Sequence, residues 1–410
     1  MSKKMRRSER QLLVVLVVAI FNMYGTSMPA YGQAQTEIIP SISVSERYDS
    51  NVFFTNAKTD ASDYVTTISP IVNIRRQTRL IDLNGSLLIT GNFYAKNPGL
   101  NFASVNANFS ASLDSLVARF VKRTSLTVTE FFTYTPQPPA FYAPPASGAG
   151  AGGPENFARG IQAVRANSLI NVFTMNGSYL INPAMSIIGS IRHQYMRFGS
   201  AFAPTAGGGF FNTQYFSASV GPQFAITTKD SVSVNANYSA ISYAASGFQL
   251  AGATVGWQHK ISQKLSFGVN AGVTKFLTSQ QPLQYVGSGQ LSWQERSTVT
   301  TLSVSRAVFP SFYVTSTALV SNVVALNVSH QFTERLTGTV HGNYAQNQSV
   351  SGPNLNFTSY SGSLNINYLF TKRVIGSASY SRFVTNSSFA GQGFGFNRDI
   401  FVLTVRYEWR

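Results

Sequence analysis

Ala103-Ser-Val-Asn-Ala-Asn-Phe-Ser-Ala-Ser-Leu113 is a strict alternation: Ala103, Val105, Ala107, Phe109, Ala111 and Leu113 interleave with Ser104, Asn106, Asn108, Ser110 and Ser112. In an extended chain successive side chains point to opposite faces, so this stretch is a strand with one apolar and one wet face. The same period returns in residues 81–93, where Ile81, Leu83, Gly85, Leu87, Ile89, Gly91 and Phe93 face away from Asp82, Asn84, Ser86, Thr90 and Asn92. It returns again in Val232, Val234, Ala236 and Tyr238, and in Leu364, Ile366, Tyr368 and Phe370.

A soluble sandwich alternates too, so strand length decides what lies outside the apolar face. Ordinary strands run about 5 to 6 residues, whereas one tilted across a bilayer needs roughly 9 to 11, and many runs here reach that length. The wet face is mostly Ser, Asn, Thr and Gln, which suits a water-filled interior. Beyond the first residues there is no apolar run long enough for a helical span.

The N-terminus reads as an export signal. Lys3, Lys4, Arg6, Arg7 and Arg10 form a basic region, residues 12–21 an apolar core, and Gly32-Gln33-Ala34 a small-x-small cleavage site. Residues 1–34 are therefore expected to be a cleaved secretory signal peptide, and residues 35–410 a single barrel domain. The chain has 0 cysteines, so disulfides, thiolate metal ligands and a lipoprotein anchor are excluded.

The formal charge is +16; removing five Lys/Arg and Glu9 with the leader takes away a net +4 and leaves about +12. Many of the cations sit in short connectors, among them Lys122, Arg123, Lys229, Lys264, Arg335, Lys372 and Arg373. That placement predicts a basic collar at one end of the molecule, not the aromatic-interleaved patch of a nucleic-acid binder.

The connectors alternate between two kinds. Short polar ones (residues 76–79, 181–183, 228–230, 262–264, 333–335 and 371–373) separate longer loops (residues 53–62, 97–101, 136–162, 199–210, 279–282, 348–354 and 386–397). Short periplasmic turns and long outer loops are the pattern of an outer-membrane barrel. Counting runs gives an all-β, transmembrane, antiparallel up-and-down β-barrel of about 18 strands, with 16 as the alternative. The first strand is expected near residues 38–49 and the last over residues 400–409. The loop at 136–162 is about 27 residues of Pro-, Gly- and Ala-rich sequence, a length that is usually functional or disordered; it either folds inward to narrow the pore or stays in solvent, and its composition favours the second.

On the outward face Trp257, Trp293, Tyr407 and Trp409 are candidates for an aromatic girdle at headgroup level. On the wet face parity places Arg47, Arg75, Lys96, Arg192, Lys260, Arg296, Arg406 and Arg410 against Asp82, Asp114 and Glu408, a mildly anion-attracting lumen lining.

Chemistry needs groups that the sequence does not supply. By parity His193, His259 and His330 share the lipid-facing register, which leaves His341 beside Thr339 and Asn343 as the lone interior imidazole. A nucleophilic serine needs a base and an orienting partner. No HExxH, calcium loop or carboxylate cluster is present, and the glycines at 207–209 and 391–393 lack the lysine and helix of a phosphate loop. No catalytic residue, cofactor or metal is expected, and the chain is not expected to be an enzyme.

Pro40-Ser-Ile-Ser-Val-Ser-Glu-Arg-Tyr-Asp-Ser-Asn-Val-Phe-Phe54, followed by Asp63-Tyr-Val-Thr-Thr-Ile-Ser-Pro70, resembles the β-barrel porin families of the outer membrane. It is similar to the group found with bacterial exopolysaccharide or exosortase systems. The resemblance is sharp over residues 38–74 and is general alternation thereafter. It implies an outer-membrane barrel, with polysaccharide passage as one role, and brings no catalytic residues. One departure is that Trp409 is followed by Arg410, where such barrels commonly end on an aromatic residue.

The leading expectation is a Gram-negative outer-membrane porin-like barrel giving passive diffusion of small hydrophilic solutes through a polar, mildly basic lumen. The alternatives are a dedicated exopolysaccharide conduit and a structural or adhesive barrel with functional surface loops. Expected partners are outer-membrane lipid, the barrel-assembly machinery and, for the conduit, periplasmic polysaccharide-export proteins; nucleic acid is not one.

Overall fold

The computed structural model describes residues 35–54, 61–136, 166–201, 211–243, 246–278, 281–310, 318–350, 355–389 and 392–409. The expected signal peptide, residues 137–162 of the long loop, and Arg410 lie outside the described residues.

Eighteen strands follow one another: β1 (Gln35–Asp49), β2 (Asp63–Gln77), β3 (Asp82–Tyr94), β4 (Phe102–Ser112), β5 (Thr124–Thr135), β6 (Ala166–Asn182), β7 (Met185–Ala201), β8 (Thr213–Ala225) and β9 (Asp230–Tyr243). Then come β10 (Gly247–Lys260), β11 (Leu265–Phe276), β12 (Gln284–Glu295), β13 (Thr298–Pro310), β14 (Ala318–Gln331), β15 (Leu336–Ser349), β16 (Leu355–Leu369), β17 (Val374–Phe389) and β18 (Gln392–Glu408). Each pairs antiparallel with the next, and β1 also pairs with β18, so the 18-stranded sheet closes on itself. Closure leaves no edge, which is what permits strands to stand in lipid. The single α-helix among the described residues is one turn, α1 (Asp114–Val117), in the connector between β4 and β5.

The end strands outrun the expectation. Residues 386–397 read as a loop, yet β17 runs to Phe389 and β18 starts at Gln392, with Asn386 opposite Gly395. Gly395 permits the ladder there, since a Cβ on it would lie 2.5 Å from the Thr385 carbonyl oxygen. Polar turn-forming composition is overridden by pairing at the tip of a long hairpin.

Which face points inward follows from contacts that neighbours on the ring cannot make. Ile170 and Val172 of β6 and Met196 of β7 share one apolar cluster with Leu319 of β14 and Leu355 and Phe357 of β16. β6 and β14 stand eight places apart on an 18-place ring, so these side chains meet only through the interior. Cross-strand pairing carries that face around the barrel, through Ser190 to Ser219 and on through Asn237, Thr254 and Asn270. The opposite face holds exposed Val44, Ile68, Val220, Val255, Val269, Leu302, Val324 and Leu403, a belt that suits hydrocarbon.

Between the two facing walls the sheet bends tightly. Inward Gly221 on β8 and Gly272 on β11 mark the corner: a Cβ on them would lie 1.8 Å from the Val234 carbonyl oxygen and 2.0 Å from that of Ala253. Only glycine lets the backbones approach so closely at a barrel corner.

The barrel interior as candidate functional site

The inward wall is built from small hydroxyl and amide side chains that satisfy one another between strands. Ser125 and Ser178 share a 2.6 Å hydrogen bond, Ser190 and Ser219 one of 2.7 Å, and Thr133 donates to Asn106 at 2.6 Å. Asn237 donates to Thr254 at 3.2 Å. Over β5 to β11 this wall borders an open chamber of about 420 Å³, lined by Ser125, Asn176, Ser190, Ser219, Asn237 and Asn270 among others. Almost every lining group is neutral and polar, so the chamber wets readily without committing to a charge.

Toward the loop end the interior changes character. Ile170, Val172, Met196, Leu319, Leu355 and Phe357 are each no more than 2% exposed, and Phe131 and Phe198 pack against them. A second cluster, Ile241, Tyr243, Leu250 and Phe276 with Ala318, lies beside the first, since Ala318 and Leu319 are consecutive on β14. A third, Val52, Val65 and Tyr94, closes over β1 to β3 with Leu100 and Phe102. The first two form an apolar septum above the polar chamber. Barrels of 16 to 18 strands ordinarily leave an aqueous channel; in this one, apolar side chains from opposite walls touch across it.

The interior charges divide into paired and unpaired. Arg398 and Asp49, 1% and 0% exposed, join β18 to β1 through a bidentate pair, and the guanidinium lies 4.6 Å from the Phe54 ring centre. Phe54 reaches that position with φ 56°, strained for a non-glycine residue, and stacks edge-on against Phe396. Arg406 pairs with Glu408 at 2.8 Å, and Arg47 donates to the Tyr94 hydroxyl at 3.3 Å. Arg75 stands exposed at the short-turn end opposite Glu37. Arg192, half-buried, donates to the Gln194 amide oxygen at 3.3 Å.

Of the other residues singled out by parity, Asp82 lies in the inward register opposite Gln77, and Lys260 ends β10 opposite Ser266. Three stand in connectors instead. Lys96 is exposed after β3, its backbone N–H bonded to Asp63. Asp114 opens α1 and accepts the Leu126 N–H at 2.7 Å, because a carboxylate at the start of a helical turn caps the connector better than it lines a wall. Arg296 lies in the tight turn between β12 and β13. His341 is in the inward register opposite Asn327 and Ser363, and His193, His259 and His330 are on the outer face. Among the described residues, no three His, Cys, Asp or Glu come together as a metal would require.

Outside, Trp257, Trp293 and Trp409 are exposed near the short turns, and Tyr407 stacks on Trp409 with ring centres 5.0 Å apart. The Trp257 indole N–H donates to Asp230 at 3.1 Å and the His259 ring bonds the same carboxylate oxygen at 2.7 Å, the arrangement of an amphipathic ring with one wet end. A second ring, not singled out in the sequence, includes the pairs Tyr48–Tyr64 and Tyr344–Tyr360 toward the loops, with centres 5.3 Å and 5.1 Å apart. Two aromatic rings bounding an apolar belt are what a bilayer's two interfaces select. Polar pairs interrupt the belt: Asn171 donates to Glu130 on the outward faces of β6 and β5, and Thr66 donates to Glu46, which stands opposite Leu403.

A closed antiparallel barrel with a lipid-suited exterior and a polar wall on the inside has the architecture of a transmembrane β-barrel. Residues 251–409 match the family model described as "Putative beta-barrel porin 2". Solved structures that align with the chain include Acinetobacter baumannii OccAB3, at 9% identity with 92% of this chain and 100% of that one covered and a TM-score of 0.43. Pseudomonas aeruginosa OpdK with vanillate aligns at 7% identity, 91% and 99% coverage and a TM-score of 0.44. A mutant of the P. aeruginosa ferric enterobactin receptor PfeA in complex with enterobactin aligns at 8%, 92% and 82%, with a TM-score of 0.46. No curated protein matches the chain.

Proposed function

We propose that this barrel resides in the outer membrane of a Gram-negative bacterium and passes small hydrophilic solutes by diffusion, without chemistry of its own. The observation that carries the reading is the wall of Ser, Asn and Thr around the 420 Å³ chamber, turned inward by a sheet whose other face is an apolar belt. Such a wall replaces water hydrogen bonds for a passing solute without holding it, as conduction requires. The septum is the narrowest part of the path, so passage depends on its side chains parting. Recording purified, folded protein in planar bilayers tests the reading: discrete conductance steps are expected, and a silent membrane containing folded barrels overturns it.

A further inference from the structure

We propose that Arg192 and the chamber beneath it form a binding site for small polyhydroxylated carboxylates, with Arg192 holding the carboxylate. The inference deepens the solute-passage reading and rests on it.

Arg192 differs from every other inward arginine of the described strands in what faces it. Arg398 has Asp49, Arg406 has Glu408, Arg75 stands opposite Glu37, and Arg47 is two residues from Asp49. Arg192 pairs across the ladder with Thr174 and Ser217, both neutral. Its hydrogen bond to Gln194 goes to a neutral oxygen, and its Nε is buried without a hydrogen-bond partner. Among the described residues, the inward faces of β4 to β17 carry no carboxylate: Glu130 faces outward, Asp230 binds the outward Trp257, and Glu295 pairs with Lys264 at a short turn. A guanidinium held partly out of water with no counter-charge is costly, and an incoming oxyanion relieves that cost.

The position adds to the argument. Arg192 is one inward step from Ser190, which lines the chamber, and one from Gln194, next to septum residue Met196. A solute rising through the chamber therefore meets its planar fork at the foot of the apolar septum, where water is scarcest and a bidentate carboxylate contact is strongest. The rest of the chamber offers hydroxyls and amides, and the buried Oδ1 of Asn270 has no hydrogen-bond donor. That acceptor calls for a ligand carrying hydroxyl groups as well as the carboxylate. The chamber volume lies within the range of small-molecule sites, about 300 to 1,000 Å³.

Gluconate is the probe. Titration calorimetry of the folded protein in detergent is expected to give saturable binding that is lost in Arg192→Gln and partly kept in Arg192→Lys. In planar bilayers Arg192→Gln is expected to lower the gluconate-over-potassium permeability ratio by about tenfold, the low end of what a charged, low-dielectric cleft contributes to local ion concentration. Gluconate binding that is absent, or unchanged in Arg192→Gln, overturns the site whatever the conductance does. Arg192-dependent binding in a barrel that never conducts upholds the site and overturns the passage reading instead.

Discussion

Arg398 and Asp49 meet across the seam between the last strand and the first, with Arg398 Nε donating to Asp49 Oδ1 at 2.8 Å and a second guanidinium nitrogen to Oδ2. Neither is more than 1% exposed, so each neutralises a charge that water does not reach. Removing one partner strands the other: Asp49→Ala or Arg398→Ala is expected to cost about 3–5 kcal/mol, whereas Asp49→Leu combined with Arg398→Leu costs far less. Urea unfolding of the four proteins in lipid vesicles reads the difference, and a double variant as weak as the singles contradicts the buried-pair account.

Phe357 is wholly buried at the centre of the septum. Phe357→Ala is expected to lower stability by about 3–5 kcal/mol through the cavity it leaves, and at the same time to raise single-channel conductance, because the septum then no longer spans the interior. Conductance equal to the wild type in a folded variant places the narrowest point elsewhere.

Gly272 stands at the tight corner, where a Cβ would meet the Ala253 carbonyl oxygen at 2.0 Å. Gly272→Ala is expected to destabilise the barrel by about 1–3 kcal/mol as an overpacked site. Gly342 is the control, since nothing lies within 4 Å of the Cβ built there, and Gly342→Ala is expected to leave the unfolding midpoint nearly unchanged.

Glu130 and Asn171 hold each other on the lipid-facing side. Asn171→Leu alone strands the carboxylate and is expected to destabilise, while Glu130→Leu with Asn171→Leu is expected to match or exceed wild-type stability by about 1–4 kcal/mol. Unfolding midpoints in phosphatidylcholine vesicles decide it.

The strands and the alternation of short and long connectors were legible because both are local: the period of two and the turn residues lie within a few positions of one another. The septum was not. Ile170 and Val172 interrupt the polar face of β6 near its loop end, as do Leu319 on β14 and Phe357 on β16, and within one strand they read as stray apolar residues. Only ring closure shows that they converge. Arg398 escaped because residues 386–397 read as a loop, so parity was not carried above Ile400; continued upward from Arg406 in steps of two, it gives the inward register that the pairing with Phe383 shows. Asp114 misled in the other direction, since alternation ran past the end of β4 into a helical turn.

The seam also sets an order of events. Asp49 and Arg398 are 349 residues apart in sequence, so no single hairpin brings them together, and closing that loop before the intervening strands have paired carries the full entropy of the open chain. Contacts of such long sequence separation form late and slowly. Until then the chain carries an acid at one free edge and a base at the other, each marking an unfinished sheet. Their neutralisation is a completion signal, and variants that lose it are expected to accumulate as open sheets even where the finished barrel is stable.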